Sequence, residues 1–209
     1  SSSTIQFRVS DAAGNSGSPA SQAVVIDISA PTNTITINDG GDGLLSPAES
    51  SSVLLSGTTS GVEDGQTVAI TISDGTSTIN AAATVASNSY SVSNLDLSSL
   101  NDGNLTITAD VADLAGNSAT QASDSTNKDT TAPATSISID SISNDSGVRS
   151  ADFITADNDG LTVNATLSAP LITGEILQYS NDNGTTWSTV SNSAISSNAV
   201  SFNDSALTS

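Results

Sequence analysis

The chain has 209 residues and a formal net charge of −19, from 22 Asp and Glu against 3 Lys and Arg. Such a charge repels phosphate, which excludes nucleic acid and anionic membrane surfaces as partners. Cys and His are absent, and with them go disulfides, thiol nucleophiles, imidazole bases and the usual transition-metal ligands.

No apolar run approaches the roughly 18 residues that span a bilayer, so direct membrane insertion is not expected, and no signal peptide is visible. Without Met, the chain reads as a segment of a longer protein. All the acids except Glu49, Glu63 and Glu175 are Asp. A merely solubilising surface would use both types freely, whereas Asp suits turns and is a preferred calcium ligand.

In chain order, residues 1–27 contain a strand (4–10), the loop Asp11-Ala12-Ala13-Gly14-Asn15 and a strand (21–27). Residues 28–129 then hold seven short strands: A (33–38), B (53–58), C (67–73), D (77–85), E (90–95), F (104–111) and G (118–126). Apolar residues alternate in Val68-Ala69-Ile70-Thr71-Ile72 and Leu105-Thr106-Ile107-Thr108-Ala109. That period of two marks half-buried strands, and no helical period of comparable length is present. Seven strands in about 100 residues predict an all-β chain of tandem Ig-like β-sandwiches. Residues 130–209 start a third unit with Thr135 to Asp140, continue through Leu161-Thr162-Val163 and Glu175 to Ser180, and reach the turn Asn181 to Gly184. Trp187 follows that turn on a strand that places it in the core.

The punctuation repeats 102 residues on. Asp11-Ala12-Ala13-Gly14-Asn15 returns as Asp113-Leu114-Ala115-Gly116-Asn117, and Asp27-Ile28-Ser29-Ala30-Pro31 as Asp129-Thr130-Thr131-Ala132-Pro133. A repeat of this length is one domain, so the chain is part of a tandem array. Residues 1–27 read as the last strands of a preceding domain, 28–129 as a complete one, and 130–209 as one lacking its last strands. Two explanations stay open. The ends fall in mid-repeat of a longer array, or residues 1–27 of one chain complete 130–209 of the next by head-to-tail strand complementation.

Strand direction alternates in such a sandwich. The B–C loop (Glu63, Asp64), the F–G loop (Asp113, Asn117) and the incoming linker (Asp27) therefore share one end of the domain. Converging carboxylates and an amide carbonyl suit Ca²⁺, which takes six to eight oxygens. Asp129 would begin the equivalent site at the next junction, and Asp11 with Asn15 would end the previous one. Equally, Asp-x-Ala-Gly-Asn can be a purely structural turn, its Asp bonding backbone amides.

The A–B loop, Asn38 to Glu49, resembles a twelve-residue EF-hand loop. Asn38 is at position 1, Asp42 at 5, Gly43 at the sharp turn and Glu49 at 12. Gly40 departs from the pattern, Pro47 is unusual and no flanking helices are expected. In the third unit Asp140, Asp145, Asp152, Asp157 and Asp159 form a calcium loop or a solvated acidic stretch.

With the Leu-Ser-Pro-Ala-Glu stretch (45–49) and Ser180 to Trp187, these motifs resemble the Ig-like extender repeats of giant, type I-secreted adhesins of the repeats-in-toxin class. That resemblance implies calcium-rigidified spacers outside a bacterial cell, projecting a distal domain for attachment or biofilm formation. Neighbouring repeats of the same chain would be the main partners. The nonapeptide calcium repeats of the class are absent. No aromatic-rich cleft marks a catalytic carboxylate pair, so an enzyme is not expected. The alternative is a glycan- or ice-binding module using Thr alternations such as Thr34 to Thr36 and Thr106 to Thr108. Solvent-facing strand threonine explains these as well.

Overall fold

The computed structural model describes residues 2–146, 149, 152–156 and 160–205. Two compact units divide the chain, Ser1–Thr131 and Ala132–Ser209.

In the first unit β1 (Ser2–Phe7) and β2 (Ala20–Val25) form an antiparallel hairpin of their own. Then come β3 (Thr32–Asn33), β4 (Thr36–Asn38), β5 (Leu44–Leu45), a one-turn helix α1 (Pro47–Ser50), β6 (Val53–Ser60), β7 (Thr67–Ser73), β8 (Thr78–Thr84), β9 (Ser89–Leu95), β10 (Gly103–Asp110) and β11 (Ala122–Lys128). One sheet gathers β3, β4 and β9 on β6, and the other runs β5-β11-β10-β7-β8. Among the described residues of these sheets, only β5 with β11 is parallel.

The period-two apolar residues make the core between the sheets: Val53 and Leu55, then Val68, Ile70 and Ile72, then Leu105, Ile107 and Ala109. Burying each large one is worth about 1.5–3 kcal/mol. A one-residue slip would turn a whole row outward, so the pattern also sets the register.

Strand A is broken between β3 and β4, because Thr34 uses its side chain as a rung. Its Oγ1 accepts the Thr58 amide at 2.9 Å, while its own amide donates to the Thr58 carbonyl. The strand read as D lies beside β7 in the β10 sheet, the position called C′ in an Ig fold. Strand G begins at Ala122, four residues later than expected, because residues 118–119 still pair back to 111–112 as part of the loop. The helical turn is a further departure from the all-strand expectation. Ser46 caps it, Glu49 closes the reciprocal capping box, and Pro47 occupies its first turn.

In the second unit β12 (Ile137–Ile142), β13 (Leu161–Leu167), β16 (Ile195–Ser196) and β17 (Ala199–Asp204) form a sheet of order β12-β13-β17-β16. β14 (Gln178–Tyr179) and β15 (Ser188–Thr189) pair separately. β12-β13-β17 repeats the pairing order β4-β6-β9. Ala165, Leu167 and Val200 form a small core. The strand read over 175–180 shortens to two residues.

Trp187 departs from its expected core position, being 60% exposed. It lines an open apolar cavity with Ile137, Ile139, Leu177, Tyr179 and Phe202. β14-β15 has no further strand of its sheet beside it among the described residues, so nothing there covers the indole.

Candidate metal sites at the loop ends

The two Asp-x-Ala-Gly-Asn loops are congruent. In one, Asp113 Oδ1 accepts the Asn117 amide and Oδ2 accepts Asn117 Nδ2, both at 2.8 Å. In the other, Asp11 makes the same two bonds to Asn15 at 2.8 Å. Gly14 and Gly116 sit at φ +90° and +91°, where a Cβ is strained. Asp11 and Asp113 are both held below the usual carboxylate range, foremost by the Asn side chain donating to them. Asp27 Oδ1 accepts the Ser29 amide and Asp129 Oδ1 the Thr131 amide, each at 3.0 Å.

At the end of the sandwich where the linker enters, three of the expected elements meet. Glu63 Oε2 accepts the Leu114 amide at 2.8 Å, joining the B–C and F–G loops. Asn117 Nδ2 also donates to the Asp27 carbonyl at 3.3 Å, tying the linker to the loop. Asp64 points elsewhere, accepting the Ser87 amide at 2.7 Å. The donor set here is oxygen only, which fits a hard cation such as Ca²⁺. The Asp113 oxygens are nonetheless already hydrogen-bonded, and no group of three or more acids that could hold a metal occurs among the described residues.

The EF-hand-like loop spends its acids locally. Asn38 Oδ1 accepts the Gly40 amide, Asp42 Oδ1 the Leu44 amide, and Glu49 Oε2 the Ser46 amide and hydroxyl. Glu49 therefore caps α1, and the Ser46 amide first of all lowers its pKa. In the second unit Asp140 accepts the Thr166 hydroxyl at 2.6 Å on the sheet. Asp145 Oδ2 accepts the Phe153 amide at 3.2 Å, and its Oδ1 is buried without a partner among the described residues. Asp152 Oδ1 accepts the Ile154 amide. Asp157 and Asp159 lie outside the described residues.

Sequence reasoning missed the opposite end of the first sandwich. Lys128 Nζ is buried there and donates to Asp102 Oδ1 at 2.9 Å and to the Leu100 carbonyl at 2.8 Å. Asp102 Oδ2 accepts the Thr130 amide at 3.0 Å and the Thr131 hydroxyl at 3.1 Å, holding the outgoing linker. Nearby, Asp74 Oδ2 accepts both the amide and Nδ2 of Asn101 at 2.7 Å. The available signal was Lys128 itself, a cation on the inward face of β11 that needs a counter-charge.

No family model matches the chain, and no curated protein matches it. Among solved structures, a tetra-tandem repeat in the extending region of a large adhesion protein is 28% identical over 97% of this chain and 47% of that one, with TM-score 0.42. A Ca²⁺-stabilized adhesin of an Antarctic bacterium that binds ice is 26% identical over 95% of this chain and 48% of its own, with TM-score 0.47. A bacterial immunoglobulin-like domain from the M. primoryensis ice-binding adhesin is 27% identical over 48% of this chain and 100% of its own, with TM-score 0.34. The chain is similar to repeats of large adhesins. It spans about half the length of the first two. All three overlays fall below a TM-score of 0.5, so the function proposed below rests on this chain's own residues.

Proposed function

We propose that this chain is a spacer segment of a large bacterial surface adhesin, whose Ig-like repeats are stiffened by Ca²⁺ at their junctions and project a distal binding domain for attachment or biofilm formation. The observation that carries the reading is the bond from Asn117 Nδ2 to the Asp27 carbonyl of the incoming linker, together with the recurrence of the Asp-x-Ala-Gly-Asn loop and the linker Asp 102 residues apart. A loop that holds the incoming linker is what a rod of similar modules requires. An extending region and ice-binding adhesins are also the settings named for the solved neighbours, and that setting is carried to this chain as part of the proposal.

Residues that would hold the ion at this junction are Asp113, Glu63, Asn117 through its amide oxygen, and Asp27. A bound Ca²⁺ would supply attraction to oxygens on both sides of the hinge. The residues themselves already orient the linker, and their negative charges repel one another until a cation is present. At about 10⁻⁴ to 10⁻³ M affinity, an ion concentration ten- to a hundredfold higher adds about 1.4–2.7 kcal/mol per site. The same effect would stiffen a chain of beads into a rod.

Calorimetric titration of Ca²⁺ into metal-free protein, with small-angle scattering before and after chelation, tests this. Heat with a longer maximum dimension in Ca²⁺ supports the spacer. No heat and an unchanged dimension would remove it, and retention on a glycan array or ice would favour the binding-module alternative. One alternation offered for a binding face is partly engaged already, since Thr34 Oγ1 is bonded to Thr58.

A further inference from the structure

The complete sandwich guards three of its four sheet edges. At the edge formed by β4, Asp124 Oδ2 accepts the Ile37 amide at 2.9 Å. The edge formed by β5 is two residues long. The edge formed by β9 is bulged where the pair Val53↔Leu95 gives way to Leu55↔Val92, with Asn94 at φ +56°. Carboxylates, short strands and bulges are the usual guards against the addition of a foreign strand. The fourth edge, β8, has none of them. It is the outer strand of the β5-β11-β10-β7-β8 sheet, and its seven residues carry no charge and no Pro. Successive rungs from Thr67↔Thr84 to Ser73↔Thr78 join it to β7 without a register shift.

A strand paired on one side only directs half of its N–H and C=O groups outward. No strand meets those of β8 among the described residues. Thr78, Asn80, Ala82 and Thr84 form an exposed row, while Ile79 and Ala81 are half-buried against the rim of the core. Antiparallel pairing with an identical strand about Ala81 sets Thr78 against the partner's Thr84 and Ile79 against the partner's Ala83. The inner row then matches large with small, and threonine pairs across strands are favourable. A charged peptide of other origin would find no counter-charge on this strand.

We propose that β8 is an association edge, pairing antiparallel with β8 of a second copy of this chain so that the two five-stranded sheets become continuous. Main-chain hydrogen bonds supply the affinity, and the matched rows set the register. The same surface serves both copies, so the contact closes at a dimer. In the spacer reading it lays rods side by side, but it depends on neither that reading nor calcium. With −19 on each chain the copies repel, so screening by salt strengthens the pairing.

The test carries the full chain through a concentration series at low and high salt, followed by sedimentation and by amide hydrogen exchange. Mass rising from monomer to dimer and no further, with added protection of β8 amides, is the expected result, and high salt should favour it. The sequence has no Cys, so Ala81→Cys introduces a single thiol that should oxidise to a cross-linked dimer. Thr106→Cys, exposed on β10, should not. Ala82→Asp adds like charge to the exposed row and should hold the chain monomeric with its thermal unfolding intact. A monomer at every concentration and salt would overturn the proposal. So would β8 protection independent of concentration, which marks cover within one chain, growth beyond a dimer, a dimer that survives Ala82→Asp, or equal cross-linking at both cysteines. The calcium reading is judged separately, by the comparison of Ca²⁺ with chelator in titration and scattering.

Discussion

Lys128 and Asp102 are joined at 2.9 Å with the lysine 3% exposed, and the same carboxylate holds the amide of Thr130. One ion pair therefore links the last strand of the sandwich to the linker that leaves it. A buried ammonium deprived of its counter-charge is costly, whereas an apolar side chain of similar volume is tolerated. Asp102→Asn should lower the urea midpoint more than Lys128→Met does. The Thr130 amide should exchange faster in Asp102→Asn than in the wild type. Equal midpoints in the two variants would show that the pair is incidental.

Gly57 and Tyr90 form a second constraint. A Cβ on Gly57 would fall onto the Thr34 carbonyl and the Tyr90 ring. The Tyr90 hydroxyl lies 3.0 Å from Asn33 Oδ1 and 2.5 Å from the Thr34 carbonyl, and burial raises its pKa to about 12. Gly57→Ala should cost about 1–3 kcal/mol through overpacking. Tyr90→Phe should cost about 1 kcal/mol through the lost hydrogen bond. Chemical denaturation of both variants reads these values directly.

Acid should weaken the hydrogen-bonded aspartates. Asp182 is lowered to about 2, first by the Thr186 hydroxyl and then by the Thr186 amide. Asp74 is lowered mainly by the Ser77 amide and Asp102 mainly by Lys128. A carboxylate depressed in the folded state contributes stability above the ordinary Asp value of about 3.9. It loses that contribution as pH falls through the folded value. The stability difference between wild type and Asp182→Asn should hold constant above about pH 5 and shrink towards pH 2. This comparison cancels the general relief of charge repulsion on acidification. A difference independent of pH would remove the assignment.

Glu63→Gln separates charge from geometry at the proposed junction, because a Gln oxygen can still accept the Leu114 amide. Wild type should gain thermal stability in millimolar Ca²⁺, and Glu63→Gln should lose most of that gain with little change in chelator. Asp113→Ala should lower stability in both conditions, since it also dismantles the loop held by Asn117. An unchanged calcium response in Glu63→Gln would take Glu63 out of the site.

Local chemistry made much of this legible from residues alone. Alternation over 67–73 and 105–109 defined strands because the pleat puts every second side chain on one face. The two Asp-x-Ala-Gly-Asn loops announced their shared shape, since the carboxylate, the left-handed Gly and the Asn amide all interact within five residues. The cap of α1 was equally local, written in Ser46 and Glu49, but one turn is too short to show a helical period.

By itself, then, the sequence determined the fold class, the 102-residue repeat and each turn whose hydrogen bonds close within a few residues. Only the tertiary structure decided which distant groups meet: Asn117 with the Asp27 carbonyl, Glu63 with Leu114, Lys128 with Asp102. It also decided that Asp64 turns to Ser87 and that Trp187 lines an open cavity. The physical reason is range. Turn and strand preferences are set by neighbouring atoms, whereas burial and ion pairing depend on what strands and loops distant in sequence bring within a few ångströms.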